Sequence, residues 1–135
     1  MIGAAINAVL AADSAVVAIV GTRIRPTIRP QDEALPAITY SLLSAERPQH
    51  YKAPSGLNMT RMEIKTWATG YDAAHSLFEL VRLALDGYRG TSASIVIESV
   101  ILENTRDADE GDIVDSEERF YAVVGEFAIA FQETP

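Results

Sequence analysis

Residues 56 to 87, GLNMTRMEIKTWATGYDAAHSLFELVRLALDG, change periodicity without a break. From 57 to 69 the side chains alternate, with Met62, Ile64 and Thr66 pointing one way and Arg61, Glu63, Lys65 and Trp67 the other. A period of two is that of a strand with one face against a core. From 71 to 87 the apolar positions Ala73, Leu77, Leu80, Val81, Ala84 and Leu85 recur at helical spacing. Asp72 is placed to cap the start of this helix, Gly87 to end it, and Arg82 to pair with Asp86 four residues on. A strand running directly into an amphipathic helix requires a sheet with a helix laid across it, which excludes an all-helical bundle and an all-β barrel.

The remaining segments fit that layout. Ile2, Ile6, Val9 and Leu10 define one face of a helix over about residues 2 to 12. Asp13 is a good N-cap for a second short helix, and Gly21 a good C-cap. Polar Asn7, Asp13 and Ser14 interrupt this N-terminal apolar stretch, and no basic residue precedes it. It therefore reads as two helices and not as a membrane span or export signal. Prolines 26, 30 and 36 make 22–36 an extended connector, since none can donate a backbone hydrogen bond and each restricts the residue before it. A strand follows over 37–44, with Ile38, Tyr40 and Leu42 on one face. Residues 46–56, with two prolines and a glycine, read as an exposed loop leading to the 57–69 strand as its antiparallel partner. A third strand spans 94–103. A fourth spans 118–132, with Tyr121, Val123, Phe127, Ile129 and Phe131 sharing a face around Gly125. The expected fold is α+β: a four-stranded antiparallel sheet with helices packed on one face, in the order α-α-β-β-α-β-β. With 135 residues, 48% of them apolar, the chain forms a single domain over 1–135.

Chemistry is hard to find in this sequence. It has no cysteine, which removes thiol nucleophiles, disulfides and cysteine-ligated zinc together. Gly21-Thr22-Arg23 follows an apolar run, but prolines stand where a phosphate loop needs a second glycine and a lysine. The two histidines, His50 and His75, have no second histidine at ligand spacing, and no GxSxG elbow is present. No catalytic residue, cofactor site or metal site is assigned, and the chain is not expected to be an enzyme.

Charge is unevenly distributed. The total is −8, which argues against general attraction to nucleic acid or anionic lipid. The tract 103–119 holds eight acids against two arginines, a net of −6, and includes Asp107, Asp109, Glu110, Asp112 and Asp115. Asp107, Asp109 and Glu118 fall at positions 1, 3 and 12 of a calcium-loop template. However, the required glycine position holds Asp112 and the flanks are strands, so the tract reads as a solvated hairpin loop. Arg23, Arg25 and Arg29 lie in the proline-rich connector beside Asp32 and Glu33. A planar guanidinium there is suited to holding a neighbouring acidic surface.

Four stretches, ADSAVVAIVGTRIRP, ALPAITYSLLS, the 32 residues quoted first, and RFYAVVGEFAIAF, resemble in order and spacing the tail-completion proteins of long-tailed bacteriophages and prophages. These are also described as tail-terminator or head–tail joining proteins. The resemblance runs over roughly residues 3 to 132. Relatives often carry Asp-Pro where this chain has Asp13-Ser14, and either pair starts a helix. The resemblance implies a non-enzymatic virion protein at the head-proximal end of the tail, passing through the host cytoplasm during assembly. It implies a homo-oligomeric ring, commonly a hexamer, that ends the tail tube and meets the tube protein and the head–tail connector protein. DNA would pass through the ring without being tightly bound. On that basis the connector, with Arg23, Arg25 and Arg29, is expected at a subunit or partner interface. The other side is expected to be a strand edge or the 46–56 loop, with Arg47, His50, Tyr51 and Lys52. The alternative reading is a small soluble binding domain acting as a nucleic-acid-associated regulator.

Overall fold

The computed structural model describes residues 2–26, 35–46, 57–108 and 121–133. Three helices, α1 (Ile2–Ala12), α2 (Ser14–Val20) and α3 (Tyr71–Leu85), combine with six strands. These are β1 (Ile24–Pro26), β2 (Ala37–Glu46), β3 (Leu57–Ala68), β4 (Gly90–Ser92), β5 (Ile95–Asp107) and β6 (Tyr121–Glu133). The strands form one sheet in the order β1-β2-β3-β6-β5-β4. All neighbours are antiparallel except β1, which runs parallel to β2. Between β3 and β5 the chain crosses over through α3, and β6 returns into the gap between them, giving a split β-α-β arrangement.

The expectation of four antiparallel strands is therefore corrected to a curled, mixed sheet of six with three helices. The four long strands are those expected; the two added ones are three-residue edge strands. β1 lies inside the proline-rich connector. The Ile38 amide donates to the Arg23 carbonyl at 2.9 Å, and Pro26 is tolerated because it sits on an edge strand. β4 turns into β5 through Ala93 and Ser94, both at positive φ (49° and 65°). A two-residue hairpin turn wants positive φ at both positions, and glycine or asparagine usually supplies it. Neither is present, so the hairpin carries no sequence signal.

Asp13 caps α2 as expected, its carboxylate accepting from the amides of Ala15 and Val16, and Gly21 closes the helix at φ 58°. Helix α3 differs in detail. Gly70 occupies its N-cap position and Asp72 lies in the first turn without capping it. Arg82 pairs with Glu79, three residues back, at 2.7 Å, and the carboxylate of Asp86 accepts from the Leu102 amide of β5. The buried face of α3 is Ala74, Leu77, Phe78, Val81 and Leu85, with Leu80 and Ala84 at its rim.

These residues meet Ile6 and Leu10 of α1, Val16 and Val20 of α2, and the inner sheet positions Ile38, Met62, Ile64, Val123, Phe127 and Ile129. Each large aliphatic side chain so buried contributes about 1.5–3 kcal/mol. Thr66, fully buried among them, stays satisfied by donating to the Ala74 carbonyl at 3.1 Å, which ties β3 to the first turns of α3. Tyr121, expected on the inner face, is exposed at the end of β6.

The tip of the Phe78 ring rests on Gly125, where a Cβ would run into it, so the residue facing the helix at that point of β6 has to be glycine. Gly125→Ala should destabilise the fold by about 1–3 kcal/mol through overpacking. Adding Phe78→Leu should recover part of that loss, an interaction readable in a double-mutant cycle by chemical denaturation. Strictly additive effects would show that the ring and the glycine are not in contact.

Candidate functional site

Among the described residues no metal-binding cluster of histidines and acids is present, and two surfaces stand out for their exposed or unusually paired side chains. They are the β1–β2 edge of the sheet and the end of the sheet where β5 stops and β6 begins.

At the edge, β1 covers β2 only from Ile38 to Tyr40. Beyond Tyr40, β2 continues for six residues with no described strand on its outer side, and a bulge between Leu42 and Ser44 kinks it. Leu42 and Leu43 are 57% and 47% exposed there, with Met59 of β3 also exposed nearby. An open strand edge carrying exposed leucines is a template for another chain, and most proteins block such edges. Below it, Gly3, Ala4, Asn7 and Ala8 of α1 form an open groove of about 480 Å³ with Pro26 and Tyr40. Gly3 lets α1 close onto Tyr40, since a Cβ there would stand 3.2 Å from the ring, and Asn7 donates to the Tyr40 hydroxyl.

The connector arginines that fall in the described residues divide. Arg23 donates from Nε to the Pro36 carbonyl at 2.8 Å and from Nη2 to the Ile19 carbonyl at 3.1 Å. It thus straps the end of α2 to the start of β2, next to the cis Leu35–Pro36 bond. Arg25 is exposed on β1. Arg29, and Arg47, His50, Tyr51 and Lys52 of the 46–56 loop, lie outside the described residues, as do Asp109, Glu110, Asp112 and Asp115.

At the far end of the sheet, Asp107 proves to be the last residue of β5. It presents its carboxylate to the first turns of α3. Nε2 of His75 lies 2.7 Å from Oδ1, and the Tyr71 hydroxyl donates to Oδ2 at 3.0 Å. Tyr71 stacks on His75 at 4.6 Å and meets Tyr121, the first residue of β6, edge to face at 6.0 Å. The His75 hydrogen bond, then that of Tyr71, holds the Asp107 carboxyl below the usual carboxylate range. The same bond to Asp107, before any burial or charge effect, pushes the Tyr71 phenol up. His75 alone on its helix gave the sequence nothing to pair it with; its partner is 32 residues away.

On the opposite face of the same sheet end, Trp67 is buried with Ala122, and Leu35 and Ala108 pack over it. Its indole N–H donates to Thr39 Oγ1 at 3.0 Å. Trp67 thus points outward as its alternation requires, yet it is covered by Leu35 near the end of the connector and Ala108 within the acidic tract. Further along the outer face, Glu63 is flanked by Lys65 at 3.5 Å and Arg106 at 3.9 Å, while Arg61 meets Glu103 at 3.1 Å. The Lys65 and Arg106 cations offset the like charge of Glu126, which stands directly opposite Glu63 in the register.

The described residues form a split β-α-β sheet with exposed strand edges and charged ends. The sequence matches the family described as tail completion protein gp17 over residues 4–132, so the chain belongs to that family. Such a protein is a structural component of a phage virion. A comparison with curated proteins returned no match. Among solved structures, the fold is similar to a chain described as "Virion of native gene transfer agent (GTA) particle". The TM-score is 0.73 at 16% identity, covering 96% of this chain and 93% of that one.

Arg23→Ala should lower stability by about 1–3 kcal/mol, because two backbone carbonyls lose a charged donor. Arg23→Lys should not restore it, since an ammonium cannot reproduce the two-nitrogen geometry. Thermal denaturation of the three proteins tests this; full stability of the lysine variant would show that charge alone suffices.

Proposed function

We propose that this protein forms a ring, six-membered by analogy with the family it resembles, that ends the tail tube and joins the tail to the head–tail connector protein. The observation that carries this reading is the family match over nearly the whole chain. The β2 edge, which no described strand covers beyond Tyr40, supports it, because the exposed Leu42 and Leu43 there call for a covering surface in the finished particle. A closed ring needs two different surfaces meeting head to tail. One is the β1–β2 side, with Arg25, Leu42 and Leu43 and the connector that carries Arg29. The other belongs to a different side of the neighbouring copy, so that the contact repeats around an axis. The 46–56 loop, with Arg47, His50, Tyr51 and Lys52, extends from the same end of β2 and takes part in this contact. The channel DNA is passed and not gripped, in keeping with a net charge of −8.

Native mass measurement and negative-stain images should show a closed ring, alone or on tail tubes. Leu42→Asp combined with Leu43→Asp should abolish it while the monomer melts as the parent does, since both residues are exposed. A monodisperse dimer at every concentration, with and without tubes, would sink the reading.

The acidic tract adds a salt dependence. Six tracts on one ring bring about −36 formal charges together, and their repulsion reaches about 30 Å at 0.01 M salt against about 10 Å at 0.1 M. Salt should therefore favour assembly, and amides at Asp109, Glu110, Asp112 and Asp115 should do so without added salt. Sedimentation across a salt series reads this, and indifference to both changes would place the tracts far apart. Binding to duplex DNA should stay weaker than micromolar at about 150 mM salt; tighter binding would favour a nucleic-acid-associated regulator.

A further inference from the structure

We propose that Tyr71, His75 and Asp107 form a proton-sensitive clasp that fixes the root of the acidic tract on helix α3. The proposal is independent of ring formation. Asp107 is the last residue of β5, and the chain between it and Tyr121 carries most of the protein's excess negative charge. Three observations converge on that root. Each oxygen of the Asp107 carboxylate takes one donor from α3, His75 Nε2 at 2.7 Å and Tyr71 OH at 3.0 Å. Tyr71 also holds the other end, through its edge-to-face contact with Tyr121. From the opposite face Trp67 packs against Ala108 and Ala122, the residues next to Asp107 and Tyr121. The first and last residues of the tract's connection are thus gripped from both sides of the sheet. Nothing about sheet stability requires this, because the β5–β6 register is already complete to Asp107↔Val123.

The grip depends on the carboxylate being ionised, since only then does it accept from both donors. Among the described residues, the groups that bond it are Tyr71 and His75 from α3; Asp72 of the same helix acts on Tyr71, whose ring also meets Tyr121 of β6. Arg106, its neighbour on β5, is turned to Glu63 on the other face. Asp107 is held below its ordinary range, so the clasp is present above that range and lost as pH falls through the lowered value. At the alkaline end, ionised Tyr71 would set a second anion against Asp107. Its phenol is pushed up, so that loss comes only above the ordinary tyrosine range.

Trp67 is the sole tryptophan, which makes its emission a direct reporter of the Ala108 contact. Trypsin cleavage at Arg119, near the tract's far end, is an independent one. At pH 7, Asp107→Asn and Tyr71→Phe should each shift the emission to the red and speed cleavage at Arg119 severalfold, with the melting temperature unchanged. His75→Gln, which keeps a neutral donor, should have the smaller effect. Wild type should develop the same red shift only as pH falls through the Asp107 titration, while Asp107→Asn stays flat over that range. Emission and cleavage identical to wild type in both Asp107→Asn and Tyr71→Phe would overturn the clasp. So would an acid transition with the same midpoint in Asp107→Asn. Should the asparagine variant fail to fold, Tyr71→Phe, which removes a single exposed hydroxyl, decides the matter alone.

Discussion

Helix α1 touches both edge strands of the sheet, β1 at one side and β4 at the other, and the architecture depends on that reach. An 11-residue helix can bridge a six-stranded sheet only if the sheet curls until its edges approach each other. The curl has local causes. Bulges at Ile97/Ser99 and Leu102/Asn104 in β5, and at Leu42/Ser44 in β2, each add a residue to one strand and increase its bend. At the centre, Gly125 lets Phe78 descend onto β6, so α3 sits deep in the trough. The Ser92 hydroxyl then donates to the Ala5 carbonyl at 2.9 Å, joining residues 87 apart in sequence and pinning β4 to α1.

This closure treats the two sides of the sheet differently. On the β5 side the edge is finished internally. The Gly87 amide takes the Val100 carbonyl and the Asp86 carboxylate takes the Leu102 amide, so the α3–β4 link supplies what a further strand would have supplied. On the β2 side, among the described residues, Ile38 to Tyr40 are paired, by a strand of three residues that includes Pro26. Among the described residues, β5 is covered on its outer side as far as Leu102 and β2 only as far as Tyr40.

The four long strands, helices α1 and α3 and most of the core were legible in the sequence because each of those elements carries its own periodicity over ten or more residues, while the seven-residue α2 was legible from its caps. Met62, Ile64 and Thr66 are buried on one face as their alternation required, and Asp13 caps α2 through its side chain. The misses are where local pattern carries no information. β1 and β4 are too short to alternate, and the β4–β5 turn uses alanine and serine where glycine or asparagine would have marked it. The Asp107 site was hidden for a related reason. The acidic residue was visible, but its ligands His75 and Tyr71 sit on a helix that the crossover brings to the end of β5, and nothing within either segment points to the other. Long-range pairings of single side chains are set by topology, and topology was the part of the fold that periodicity left open.

Charge follows the same division between the body of the fold and its ends. The first 22 residues, which build α1 and α2, hold one ionisable side chain, Asp13, and that one is spent on capping. Their exposed positions are uncharged and mostly small or aliphatic, among them Ala4, Ala8, Ala11, Ala12, Val17 and Ile19, with the hydroxyls of Ser14 and Thr22. The outer sheet face, by contrast, balances its charges internally through Glu63, Lys65, Arg106, Arg61 and Glu103. What remains unbalanced is concentrated beyond Asp107. A surface without charge loses little on leaving water, and small side chains allow close approach, so contacts made by the helical layer would be insensitive to salt. Contacts near the acidic tract would not. The two kinds of surface differ in what they can contribute to a contact: close packing supplies affinity, while concentrated charge sets how approach depends on ionic strength.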